Sequence, residues 1–171
     1  MRRRFILGLL AWVSMVCAPA AAPQQHSQMS AQQVERTVRA FMQTVAHEVT
    51  QQGPTAWRKF FSHGPKFFMA SDGRLVFPSY PAADKAIDGL ASSIKRIDLT
   101  WGNDVRVDPL TPSLAVVAAS WHEVRTMASG RVEDSGYFTA TVEFLDGRWQ
   151  FRDVHWSSAA PAAPRAKPVT Q

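Results

Sequence analysis

The sequence has very little cysteine, few histidines and no glycine-rich loop, and each shortage excludes a class of chemistry. Its one cysteine, Cys17, falls in an apolar N-terminal run, so the domain that follows can form no disulfide and has no thiol nucleophile. No two of the five histidines have the spacing of metal ligands on one element, and we expect no metal site. Without a phosphate-binding glycine loop, we expect no cofactor either.

The N-terminus combines basic, apolar and small residues. Arg2, Arg3 and Arg4 precede the apolar stretch FILGLLAWVSMVCA, which leads into the small-residue stretch APAAAP. This order is typical of a secretory signal peptide, and the apolar run is too short to span a membrane comfortably. We expect cleavage after Ala20. Residues 1–20 would then be the signal, and the mature protein would be periplasmic or secreted and not bound to the membrane.

Lipidation at Cys17 is the alternative to simple export. The residues before it are Ser14, Met15 and Val16. The lipoprotein signal peptidase requires a small residue directly before the cysteine, and valine is not small. Simple export is therefore the favoured interpretation.

The remaining chain divides into a leader, one domain and a tail. Residues 159–171 are rich in Ala and Pro and without periodicity, which predicts a disordered tail, and residues 21–29 form a similar flexible leader. Residues 30–158 are long enough for one domain with a hydrophobic core. Setting aside the three N-terminal arginines leaves 16 basic residues against 14 acidic ones. No basic patch predicts a nucleic-acid partner.

Helical patterns dominate the first half of this domain. Ser30 and Gln33 form a capping box, and apolar residues at helical spacing follow until Gly53 ends the helix. A second, short helix with three aromatic residues begins at Pro54. A third helix, Ala-rich and with apolar residues in register, is expected over residues 81–96.

Turn signals and strand patterns define the rest. The pair Asp72-Gly73 between two apolar runs predicts a tight type I′ hairpin, and Asp146-Gly147 predicts another. Helices followed by consecutive antiparallel strands give an α+β fold, in which a long meander curls and the helices fill its concave side. The four long strands are expected near residues 97–108, 113–127, 133–145 and 148–157.

This order of elements resembles the nuclear-transport-factor-2-like superfamily, and in particular its SnoaL-like branch. The resemblance rests on Asp72-Gly73, on Trp101 before a V-x-V strand, on the strand AVVAASW and on the motif DGRW followed by His155 and Ser157. The spacing of this last motif is also similar to the association domain of calcium/calmodulin-dependent kinase.

The resemblance implies a cone-shaped curved antiparallel sheet with three N-terminal helices packed on its concave face and a pocket between them. Members of the superfamily include ketosteroid isomerases, polyketide cyclases, dehydratases and non-catalytic assembly modules. The fold therefore does not determine the function. The isomerase pattern requires a tyrosine donor, and neither Tyr80, in a loop, nor Tyr137, on the outward face of its strand, matches it.

Aromatic residues are the main candidates for lining the pocket. In the strand at 113–127, alternation places Trp121 and Glu123 on one face with three small apolar residues. An aromatic residue at this position suits an apolar ligand, and the alternative is that Trp121 belongs to the core. The predicted ligand-binding residues are Trp57, Trp101, Trp121, Glu123, Phe138 and Phe151.

The last strand carries the candidate catalytic residues. Strict alternation places Asp153 and His155 on the same face as Trp149 and Phe151. If this face lines the pocket, Asp153 could orient His155 as a base for proton transfer on a carbonyl-type substrate. The alternative is structural: His155 bonds to a loop or the tail, and Asp153 pairs with an arginine.

Three functions remain open at this stage. The favoured one is an exported pocket protein that binds a small apolar or amphipathic molecule without catalysis. The second is an isomerase-, cyclase- or dehydratase-type enzyme that uses Asp153 and His155. The third is a homodimeric assembly module, whose sheet would pack against a second copy through Val116, Ala118 and Val132. Homodimerisation is compatible with either of the other two.

Overall fold

The computed structural model describes residues 28–159. The predicted signal peptide with Cys17, most of the leader and nearly all of the tail lie outside these residues. Within residues 28–159, no helix has both the length and the apolar character needed to cross a membrane.

Helix α1 spans Ala31–Gln52 and begins and ends as its sequence predicts. The Ser30 hydroxyl oxygen accepts a hydrogen bond of 3.3 Å from the Gln33 N–H, and Gly53 with a φ of 72° follows the last turn. Met42 on this helix is fully buried, whereas its neighbour Phe41 is only partly buried and packs against the core. The stripe that packs on the sheet consists of Val34, Val38, Met42, Val45 and Val49.

A 3₁₀ turn, two further helices and the first hairpin follow α1. A 3₁₀ turn at Gly53–Ala56 leads into α2 at Trp57–Phe60, and α3 spans Tyr80–Ser93. Between them, β1 (Phe68–Ser71) and β2 (Arg74–Phe77) are joined by Asp72 and Gly73. Both turn residues have positive φ, 48° and 77°, as a type I′ turn requires. The predicted hairpin is confirmed.

The long strands are β3 (Ile94–Trp101), β4 (Arg106–Thr111), β5 (Leu114–Met127), β6 (Gly130–Leu145) and β7 (Arg148–Ser158). The single strand predicted over residues 97–108 is therefore wrong, since it is divided between β3 and β4. A turn separates the two, where Asp104 accepts hydrogen bonds from the N–H and O–H groups of Ser120 on β5. Strand β5 pairs with β3 along one half and with β4 along the other.

The strands form one curved, unclosed sheet in the order β2-β1-β7-β6-β5-β3, with β4 also paired to β5. All neighbours are antiparallel except β1 and β7, which run parallel. The helices cover one side of this sheet, and the core lies between them. The predicted α+β class with a curved sheet and helices on its inner side is confirmed.

A β-bulge in β7 determines which side chains face the core. Thr141 pairs with Asp153 and Val142 pairs with Phe151, so the extra residue Arg152 has no partner across the β6–β7 ladder. Alternation changes phase at this point. Phe151 is buried before the bulge, and Val154 is buried after it.

Candidate functional site

A cavity of about 310 Å³ opens between the inner face of the sheet, the β1–β2 hairpin and helices α2 and α3. Strand β5 contributes Trp121 and Glu123, and β7 contributes Trp156. The remaining wall is mainly apolar and includes Trp57, Phe61, Ile87 and Ile97. This is within the range of volumes, roughly 300–1,000 Å³, in which proteins bind small organic ligands.

Three tryptophans form the aromatic wall of the cavity. The ring of Trp156 meets Trp57 at a centroid distance of 5.9 Å and Trp121 at 5.1 Å, and both contacts are edge-to-face. On its other side Trp57 stacks on Phe61 at 5.5 Å. Edge-to-face contacts of this kind stabilise the packing of the rings against one another.

Beside the aromatic wall lies a cluster of two carboxylates and one guanidinium. Glu123 and Asp134 are directly opposite each other on β5 and β6. Arg125 donates a hydrogen bond from Nη2 to Asp134, and its Nε lies 3.1 Å from Glu123 Oε1 without hydrogen-bond alignment. With both carboxylates ionised, the cluster carries a net charge of −1.

Burial raises the pKa of the Glu123 carboxyl group, because removal from water disfavours the charged form. Arg125 opposes the increase, and the nearby carboxylate of Asp134 adds to it. Glu123 is thus a partly desolvated acid inside an apolar cavity, which is an arrangement more common at functional sites than elsewhere.

We expect Glu123→Gln to raise the melting temperature by a few degrees at about pH 7, with a smaller gain towards about pH 4. A carboxyl group whose pKa is raised by folding stabilises the native state below its unfolded pKa, and this stability is lost as pH rises through the folded pKa. Thermal unfolding over this pH range would measure the effect.

Glu133→Gln is the matched control for this experiment. The pKa of Glu133 is shifted in the opposite direction to that of Glu123, because its hydrogen bond with His122 lowers the pKa of the carboxyl group. Removing the Glu133 charge should therefore give no gain at neutral pH. Equal gains from both substitutions would contradict the account given for Glu123.

Of the six predicted ligand-binding residues, three line the cavity and three do not. Trp57, Trp121 and Glu123 line it. Trp101, Phe138 and Phe151 instead pack behind it: Trp101 donates from Nε1 to the Met42 carbonyl at 2.8 Å, and its ring lies 4.9 Å from Phe138. These three residues therefore do not line this cavity: Phe138 and Phe151 belong to the buried core, and the half-buried Trp101 packs against it.

Asp153 and His155 lie on the face of β7 that points away from the cavity. The bulge at Arg152 places Val154 and Trp156 inward, so the predicted inward position of Asp153 and His155 is wrong. His155 is exposed, and Asp153 accepts a hydrogen bond of 3.2 Å from the Thr141 N–H. Their role in proton transfer stays a prediction that has lost its geometric basis.

Sequence reasoning did not assign several residues of the site, among them Arg125, Asp134 and Trp156. Alternation along β5 from Trp121 and Glu123 could have identified Arg125, and counting outward from the 128–129 turn could have paired Glu123 with Asp134. No comparable signal identified Trp156, because strict alternation places it outward.

The residues predicted to form a homodimer surface are also placed differently from expectation. Val116 and Ala118 lie on the outer face of the sheet, opposite Thr141 and Thr139 of β6. Val132 pairs with Arg125, whose side chain lies at the cavity, so it is on the inner face. The three residues predicted to form one surface therefore do not share a face.

The sequence matches no family model and no curated protein. Similar folds occur among solved structures, including a candidate scytalone dehydratase from Novosphingobium aromaticivorans, with 15% identity, a TM-score of 0.62, and 80% of this chain and 93% of that chain covered. A candidate calcium/calmodulin dependent protein kinase II association domain from Xanthomonas campestris has 18% identity, a TM-score of 0.60, and coverage of 86% and 98%.

A third structure is an NTF-2 like protein of unknown function from Shewanella oneidensis. It has 16% identity and a TM-score of 0.56, with 71% of this chain and 97% of that chain covered. At these identities the likeness is one of fold. The chain therefore has the nuclear-transport-factor-2-like fold, as the resemblance in its sequence implies.

Proposed function

We propose that the protein is an exported binding protein that holds a small apolar or amphipathic molecule in the cavity lined by Trp57, Trp121 and Trp156. The observation that carries this proposal is the cavity itself, enclosed by three tryptophans beside a cluster of ionisable groups. Export rests on the basic, apolar and Ala-x-Ala pattern of residues 1–20.

The lining of the cavity favours a bound ligand over further packing by the protein's own side chains. Most of the wall is apolar, and the tryptophan rings contribute large, rigid surfaces. Removing these surfaces from water by a bound ligand is energetically favourable. An enzyme that uses Asp153 and His155 is less favoured, because both residues face away from the cavity. Homodimerisation through the outer sheet face is compatible with binding.

The neutral fluorophore N-phenyl-1-naphthylamine tests the proposal. We expect it to bind saturably, to quench tryptophan emission, and to lose affinity about fivefold in Trp121→Phe, equivalent to ~1 kcal/mol of apolar contact. A fluorescence titration measures both effects.

Trp149→Phe is the matched control. Trp149 is also buried, but it lies outside the cavity and donates from Nε1 to the Thr37 hydroxyl at 3.0 Å. Its replacement should leave the affinity for the fluorophore unchanged. The proposal fails if the quenching of tryptophan emission does not saturate with added fluorophore, or if the two substitutions weaken binding equally.

A further inference from the structure

The charged residues that line the cavity are mostly acidic. Asp72, Glu123 and Asp134 face one basic residue, Arg125. Asp72 is held at the tip of the hairpin by a hydrogen bond of 2.7 Å from the Ser158 N–H. Around the cavity, negative charge therefore exceeds positive charge by two, although the chain excluding residues 1–20 is slightly basic.

Within the cluster, the charge of Arg125 is directed mainly to Asp134. The guanidinium hydrogen-bonds to that carboxylate, whereas its approach to Glu123 lacks the alignment of a hydrogen bond. Glu123 is nonetheless largely removed from water, with 15% of its side chain exposed. Arg125 is shared with Asp134, so a second positive group beside Glu123 would offset the remaining cost of keeping this carboxylate ionised.

The tryptophans beside Glu123 are suited to the same kind of partner. The face of an indole ring attracts a cation more strongly than any other aromatic side chain, and the attraction grows when the cation is desolvated.

We infer that the ligand is an organic cation, in which a substituted ammonium group lies between Glu123 and the tryptophan rings. The inference rests on the proposed function, since it names the class of molecule that the same cavity takes. A substituted ammonium fits better than a primary amine, because its alkyl groups match the apolar wall and it is less strongly hydrated.

Two compounds of equal shape test the inference: choline phenyl ether, which carries a trimethylammonium group, and 3,3-dimethylbutyl phenyl ether, its uncharged carbon analogue. Both contain the ether oxygen, so they differ in charge alone. We expect the cation to bind at least about tenfold more tightly to the full chain, as measured by calorimetric titration.

Variants then identify the source of this preference. Glu123→Gln should reduce the ratio of the two affinities to about twofold or less, since the largely buried carboxylate is removed. Asp134→Asn should also reduce it, because Arg125 is then free to neutralise Glu123. Glu133→Gln is the control, since Glu133 contacts His122 outside the cavity and its loss should leave the ratio unchanged.

The outcomes separate this inference from the proposed function. If both ethers bind but with equal affinity, or if the neutral one binds more tightly, the cation inference is wrong and the cavity remains a binding site for neutral molecules. If Glu123→Gln and Glu133→Gln change the ratio equally, the assignment to Glu123 is overturned. If neither ether nor N-phenyl-1-naphthylamine binds, the proposed function fails, and this inference fails with it.

Discussion

Replacing Phe151 by alanine is expected to lower the free energy of unfolding by about 3–5 kcal/mol. Its side chain is fully buried, and its ring lies 4.9 Å from Phe41 and 5.5 Å from Phe138, measured between centroids. These rings come from α1 and β6, so the substitution would leave a void where the helix meets the sheet. Neighbouring rings that are fixed on two different elements cannot collapse far enough to fill it.

Urea unfolding would measure this loss, with Phe144→Ala as the matched control. Phe144 lies on the neighbouring strand but is 37% exposed, and it contacts Trp149. Its truncation should cost no more than about 1–2 kcal/mol, since less apolar surface leaves water when it folds. Similar losses for the two variants would contradict the assignment of Phe151 to the core.

The second large effect is expected from Gly136→Ala, which should destabilise the protein by about 1–3 kcal/mol or more. A Cβ atom at this position would lie 1.8 Å from the Ser157 carbonyl oxygen and 3.0 Å from the Ser158 Cα. The obstacle is backbone, which cannot rotate away as a side chain can. Strands β6 and β7 would have to separate beside the cavity, so ligand affinity should fall together with stability.

Gly89→Ala is a control that makes the same substitution but is expected to raise the stability of the protein. Gly89 lies inside α3, and a Cβ atom added there meets no heavy atom within 4 Å. Alanine is favoured over glycine in a helix by about 0.5–1 kcal/mol, so this variant should be more stable than the parent protein. If both alanine variants change stability in the same direction, the close approach at Gly136 does not have the importance given to it.

The parts of the fold that could be predicted from the sequence depend on short-range signals. The Ser30 side chain caps α1 by accepting a hydrogen bond from the N–H of Gln33, three residues later. The pairs Asp72-Gly73 and Asp146-Gly147 adopt positive φ because aspartate and glycine tolerate this conformation locally. Alternation along β5 correctly placed Trp121 and Glu123 on the inner face, since that strand pairs with β6 without a register shift.

The features that could not be predicted depend on partners distant in the sequence. The bulge at Arg152 exists only in relation to β6, and it reversed the faces expected for His155 and Trp156. The break between β3 and β4 is held by Asp104 bonding to Ser120 on another strand. Patterns of hydrophobicity also do not distinguish a ring that fills the core, such as Phe138, from one that lines a cavity.

The parallel pairing of β1 with β7 has a consequence for the order in which the molecule can assemble. Ser158, at the end of the last strand, bonds to Asp72, which is 86 positions earlier in the chain. Because contacts of such high sequence separation form slowly, the hairpin gains its support only when nearly the whole domain is present. The cavity is thus completed only by Trp156 and Ser158 at the end of β7, and a chain truncated before them would lack one of its walls.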